Sequence, residues 1–330
     1  MLLLENLKQF DVQLQDFLVT LGLIGLLLAL LLAALCSPFL ATTAEISYVS
    51  RRKAFYDKCA LQIAQAGCCL GFLLFVLAAA GVGIFLFREM PELFQSVPRW
   101  STVRPHLLPF IPPLAALILF SLYLFSWNLL KKARFVHLLL GCMVTVLCLG
   151  ITAAAFLLIG AAQEPFLAVL LRPAPLTVIQ ALALDFLNSP NLWLGLGYAL
   201  AFGFAVCASC SQTWLIFRRE KADYGRDYYA FAMRYCARAA LFFTLVATAL
   251  ATGLFWRLSQ FVPPSFSQPY DVGVLAISAG MPLSCCLLWL CMVKSDAPMR
   301  HKLGVFFSLV FLIVALCAQL MLFSSAFPMM

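Results

Sequence analysis

The segment LWLGLGYALAFGFAVCASCSQTWLIFRR, residues 192–219, decides the fold. From Leu192 to Phe217 it holds no charged side chain, and Arg218 and Arg219 then stop it. At a helical rise of about 1.5 Å per residue such a run crosses the roughly 30 Å of bilayer hydrocarbon. Seven further runs have the same character: Leu21 to Leu40, Leu61 to Phe87, Leu107 to Leu130, Phe135 to Ala161, Ala239 to Trp256, Val272 to Val293 and Leu303 to Phe323. The expected fold is therefore all-α, a polytopic integral membrane bundle of eight transmembrane helices. The whole of 1–330 reads as one transmembrane domain, with the bundle over 21–323.

The charges between the runs set an orientation. Arg51, Arg52, Lys53 and Lys58 follow the first run; Lys131, Lys132 and Arg134 follow the third. The fifth is followed by Arg218, Arg219, Lys221, Arg226, Arg234 and Arg238, and the seventh by Lys294, Arg300 and Lys302. Sixteen of the 22 Lys and Arg thus fall in every second loop, leaving Lys8, Arg88, Arg99, Arg104, Arg172 and Arg257 on the other side. Basic residues are retained on the cytoplasmic side, so the chain is expected N-out and C-out, multi-pass in a bacterial inner membrane.

Composition excludes a soluble globule: 64% of residues are hydrophobic and 11% charged, against about a quarter charged in soluble domains. The net charge of +8 is spread over four loops beside lipid-length runs, which argues for topology and against a nucleic-acid partner. Over residues 1–20, Leu3, Leu7, Phe10, Leu14, Phe17 and Leu18 recur at helical spacing with Glu5, Asp11 and Asp16 among them. That pattern predicts an amphipathic helix on the outer interface, not a signal peptide. A second interfacial helix, starting at Thr177 behind Pro173 and Pro175, is expected in the outer loop 162–191.

Most of the thirteen cysteines fall inside the runs, where cysteine packs as a small apolar residue. Cys207 and Cys210 form a C-x-x-C, but a zinc or cluster site needs four ligands and no second C-x-x-C exists; no metal site and no catalytic residue is assigned. Transport chemistry announces itself by ionisable residues in the middle of spans, and none occurs there. The polar residues Thr145, Gln212, Thr244, Ser278 and Gln319 read as helix-to-helix hydrogen bonding. The glycines at 67 and 71 and at 195, 197 and 203 mark faces for close helix approach, expected to contact a second membrane subunit. Of three histidines, His106 starts the third span on the outer side, while His137 and His301 lie near the inner ends of spans four and eight. These two are the candidate ligand pair for a haem b, although an interfacial histidine beside basic residues needs no special role.

A family resemblance emerges from the loops in order. The segment from Glu45 through Tyr48 and Arg51 to Tyr56 and Asp57 resembles the link between the first two helices of the large, haem-bearing subunit of cytochrome bd quinol oxidases. Ser126-Trp127-Asn128 with Lys131, Lys132 and Phe135-Val136-His137 resembles its turn between helices three and four. Gly160 to Pro165, Asn188-Ser189-Pro190 before Gly197-Tyr198, and Gly225-Arg226-Asp227-Tyr228 follow in the family's order.

The departures define what the resemblance implies. The family's haem-ligand histidine in helix one has no counterpart between Leu21 and Leu40, and its ligand at the start of helix five has none between Asn188 and Gly197. The axial methionine of helix seven is not matched in position, although Met281 lies in that span. Apolar residues replace the carboxylates of helix three, and the ninth helix is missing. The quinol-binding loop shrinks to Arg257–Asp271, which weakens quinone as a partner. The resemblance therefore implies a haem-poor or haem-free subunit of a respiratory electron-transfer complex, non-catalytic and anchoring. Its expected partners are a second integral membrane subunit and a redox protein on the outer face. Helix count alone would equally suit a small-molecule or ion permease.

Overall fold

The computed structural model describes residues 2–89, 110–163, 188–222, 224–261 and 269–326. Among them every long element is an α-helix: α1 (Leu2–Arg51), α2 (Ala54–Glu89), α3 (Ile111–Leu129), α4 (Arg134–Gln163), α5 (Pro190–Arg218), α6 (Arg226–Phe261), α7 (Pro269–Lys294) and α8 (Lys302–Ala326), with a 3-10 turn at Pro298–Arg300. Each of the eight is long and apolar enough to cross a membrane. His106 and the interfacial helix expected from Thr177 lie outside the described residues.

Three helices are longer than the apolar runs that announced them. The helix expected over residues 1–20 runs without a break into the first span, giving α1 50 residues; α2 and α6 have 36 each. At about 1.5 Å per residue these are roughly 75 Å and 54 Å, well beyond the roughly 30 Å of hydrocarbon. The extra turns form because they are amphipathic. Ala41 and Ala44 of α1, Tyr56, Cys59 and Ala60 of α2, and Tyr228, Ala232, Met233, Cys236 and Ala237 of α6 are all buried, while Arg51, Lys53 and Arg238 near them are exposed. Arg52 ends α1 in the left-handed region (φ 54°), and its N–H returns to the Tyr48 carbonyl at 2.7 Å.

The helices close into two four-membered rings. In the first, α1 packs on α2 and α4, and α3 completes the ring against both; in the second, α5 packs on α6 and α8, and α7 completes it. The rings join chiefly through α1 and α5. There Gly203 lets the backbones close: a Cβ on it would stand 2.7 Å from Cys36 Sγ and 3.3 Å from the Leu32 carbonyl. Phe39 and Phe204 pack alongside at 4.6 Å between ring centroids. All four short connectors, with their arginines and lysines, lie at one end of the molecule, the basic end.

Two prolines interrupt helices, and each freed carbonyl is taken by another donor, as hydrocarbon requires. Pro38 in α1 leaves the Ala34 carbonyl without its N–H, and Ser37 Oγ donates to it at 2.7 Å. Pro282 in α7 leaves the Ser278 carbonyl, which accepts from Gln319 Nε2 of α8 at 3.3 Å. Gln319 Oε1 in turn accepts from the Tyr198 hydroxyl of α5, so one amide ties three helices.

Candidate functional site: a buried charge network at the basic end

Glu45 sits in the part of α1 that outruns the apolar segment, one face of which turns into the first ring. Its side chain has no exposure, and the same is true of His137 on the first turn of α4. Glu45 Oε1 lies 2.6 Å from His137 Nδ1. Tyr123 of α3 donates its hydroxyl to Glu45 Oε2 at 2.8 Å. The other imidazole nitrogen, Nε2, lies 3.0 Å from the Tyr123 backbone carbonyl.

That last contact fixes the tautomer. A carbonyl only accepts, so Nε2 carries a hydrogen and donates it. The Nδ1–Oε1 contact then holds one proton between a nitrogen and a carboxylate oxygen, as imidazolium with carboxylate or as imidazole with carboxylic acid. Both states keep every hydrogen bond.

Arg134 links this pair to the surface. Its Nη1 is 3.8 Å from Glu45 Oε1, an electrostatic contact too long for a hydrogen bond, and its Nη2 donates to Asp57 Oδ2 of α2 at 3.1 Å. The Arg134 and Asp57 side chains retain 20% and 21% exposure, so water screens this outer pair and not the inner one. Aromatic rings wall the site. Tyr123 stacks on the imidazole at 4.5 Å and Trp127 meets it edge-on at 4.7 Å. The Arg134 guanidinium lies over Tyr48 at 5.3 Å. Thr42 and Thr145 meet at 3.4 Å one turn deeper. All four helices of the first ring thus converge on one shared-proton pair.

The two histidines proposed as haem ligands belong to different rings. His137 belongs to the first ring, with both nitrogens directed at protein acceptors. His301 ends the 3-10 turn of the second ring with its side chain exposed. No hydrogen bond or ring contact joins them among the described residues. A haem held by both would require His137 to leave Glu45 and the Tyr123 carbonyl.

Sequence reading missed Glu45 as a buried group because it fell past the apolar run ending at Leu40. Its available signal was the small-residue stripe Ala41–Ala44 beside it, which marks a face for close packing. The polar residues read as interhelical divide in two. Gln212 bridges helices, accepting from Trp289 Nε1 at 3.2 Å and donating to the Met233 carbonyl at 3.3 Å, and Gln319 and Thr145 do so as described. The Ser278 hydroxyl instead donates to the Leu275 carbonyl of its own helix at 2.8 Å. The glycine faces expected to meet a partner subunit are largely consumed inside the molecule. A Cβ at Gly67 would collide with Ser37, at Gly195 with Phe156, and at Gly203 with Cys36, whereas Gly81 and Gly83 face open space.

No protein-family model matches the sequence, and no curated protein matches it significantly. Among solved structures, the fold is similar to a chain in the structure of bd oxidase from Geobacillus thermodenitrificans, with a TM-score of 0.64 and 12% identity, over 93% of this chain and 87% of that one. At this identity the likeness is one of fold, and it agrees with the resemblance of the loops to the bd oxidase large subunit.

Proposed function

We propose that this protein is an integral membrane subunit of a respiratory electron-transfer complex, haem-poor or haem-free, that anchors or scaffolds its partners. The observation that carries the reading is a bd-oxidase-like fold over 93% of the chain whose first apolar run, 21–40, contains no histidine. The His137 environment supports it. A histidine whose two nitrogens are engaged by Glu45 and a backbone carbonyl does structural work in the first ring. The basic end faces the cytoplasm in this reading, the electron donor or acceptor subunit sits on the outer face, and a second membrane subunit covers the lateral surface.

The test is purification in mild detergent followed by reduced-minus-oxidised spectroscopy. The expected result is a co-purifying integral protein, with any b-type bands unchanged by His137→Ala and His301→Ala because they belong to the partner. Bands lost in either variant would place the haem on this chain. A monodisperse, colourless protein that moves a solute after reconstitution in liposomes would replace the subunit reading with a permease.

A further inference from the structure

We infer that the second ring carries, at its basic end, a binding site for the phosphate headgroup of an anionic phospholipid, formed by α6, the α7–α8 connector and the start of α2. Two adjoining cavities of about 430 Å³ and about 270 Å³ share Arg226, Ala230 and Asp296 in their walls. Between them they present Arg219, Arg226, Arg234, Arg238 and Arg300. The carboxylates Asp227 and Asp296 also line them and oppose an anion, leaving the arginines in excess by three.

The described residues do not use up these arginine side chains. Arg234 is held in place by donating Nε and Nη2 to the Ser295 carbonyl at 3.2 and 2.9 Å, and Nη2 also reaches the Asp296 carbonyl at 3.3 Å. This fixes its guanidinium against backbone, and no described carboxylate pairs with it. Among the described residues, the side chains of Arg219, Arg226, Arg238 and Arg300 form no ion pair or hydrogen bond, in contrast to that of Arg134, which meets two carboxylates. A phosphodiester offers the acceptor oxygens that such a cluster lacks, and guanidinium binds it in fork geometry.

The lipid source is favoured over a free anion by what lies next to the cluster. Arg234, Arg238, Phe242 and Leu245 share one face of α6, and Phe242 and Leu245 are 60% and 50% exposed. The face therefore passes from guanidinium to lipid-facing apolar side chains within two turns, the order of headgroup and acyl chain in a bilayer leaflet. Basic pockets between helices at the cytoplasmic surface take anionic headgroups by this arrangement.

Native mass spectrometry of the full-length protein, titrated with phosphatidylglycerol or with phosphatidylcholine of the same acyl chains, tests the site. The expected result is one preferentially bound phosphatidylglycerol, weakened about 20-fold by the double substitution Arg226→Gln with Arg238→Gln. Neither residue makes a bond whose loss would unfold the chain. Ala230→Phe, which fills both cavities without altering charge, should weaken binding comparably. The double substitution Lys131→Gln with Lys132→Gln, which removes equal charge from the α3–α4 turn, should change it less than about twofold. Equal loss in the two charge variants, or no preference for the anionic lipid, would overturn the proposal. So would displacement of the lipid by millimolar inorganic phosphate, which would assign the cavities to a free anion.

Discussion

Replacing Glu45 with Leu should be among the costliest single changes in the first ring, and the structure says how the cost divides. The substitution leaves His137 Nδ1 without a partner and takes the carboxylate acceptor from the Tyr123 hydroxyl, in a site that water does not reach. Stranding one member of a buried pair costs about 3–5 kcal/mol. His137→Leu strands the Glu45 carboxylate in the same way, with Arg134 at 3.8 Å as its remaining cation, and should cost about as much. The double variant strands no charged group and removes one acceptor from the Tyr123 hydroxyl and one donor from the Tyr123 carbonyl, so it should cost less than the two singles together by about 2–3 kcal/mol. Glu45→Gln should cost only about 1 kcal/mol, because the amide donates to Nδ1 while its oxygen accepts from Tyr123. Arg134→Ala should also stay within about 1 kcal/mol, since its pair with Asp57 is partly screened by water. The assay is denaturant unfolding in detergent, followed by tryptophan fluorescence; Trp127, 4.7 Å from the imidazole, reports locally. Additivity of Glu45→Leu and His137→Leu within about 0.5 kcal/mol would refute the shared-proton pair.

Gly203→Ala should destabilise by about 1–3 kcal/mol through collision with Cys36 and Leu32 across the ring interface; Gly81→Ala, with nothing within 4 Å, should be neutral or stabilising by the same denaturant assay. Arg52→Gly should raise the unfolding temperature, because relieving a left-handed non-glycine residue gains about 1 kcal/mol; a lower temperature would show that the Arg52 side chain contributes more than its backbone strain costs. A reporter enzyme fused after Phe217 should report the cytoplasm and one after Trp256 the outer side; the reverse pattern would invert the orientation and, with it, the face assigned to a redox partner.

Eight spans were legible because run length and freedom from charge are properties of composition alone. The helix ends were not, because Glu45, Arg51, Arg226, Arg234 and Arg238 lower the local hydropathy while the opposite face still packs. Ala232, Cys236 and Ala240, four residues apart and all buried, carry the small-residue spacing by which helices approach closely in a membrane. That spacing would have extended α6 to its true start. The loop resemblance to the bd oxidase large subunit reached the same fold that the structural likeness shows. It brought Glu45 and His137 forward only as loop markers. Their contact spans residues far apart in sequence, and nothing local to either announces it.

The two rings show why a search for charges in the middle of spans finds none and still misses a buried carboxylate. Gln212 stands as many residues before the end of α5 as Glu45 stands before the end of α1. Each accepts a hydrogen bond from an aromatic donor on the third helix of its ring, Trp289 on α7 and Tyr123 on α3. The second ring fills this position with a neutral amide, complete once it meets a backbone carbonyl. The first fills it with a carboxylate, which needs a proton or a cation and obtains both possibilities from His137 and Arg134. Depth in the membrane and burial in protein are different quantities. At the basic end, where α1, α2 and α6 outrun the hydrocarbon, a charge can be enclosed by helices without being carried to the bilayer centre, where its cost is greatest.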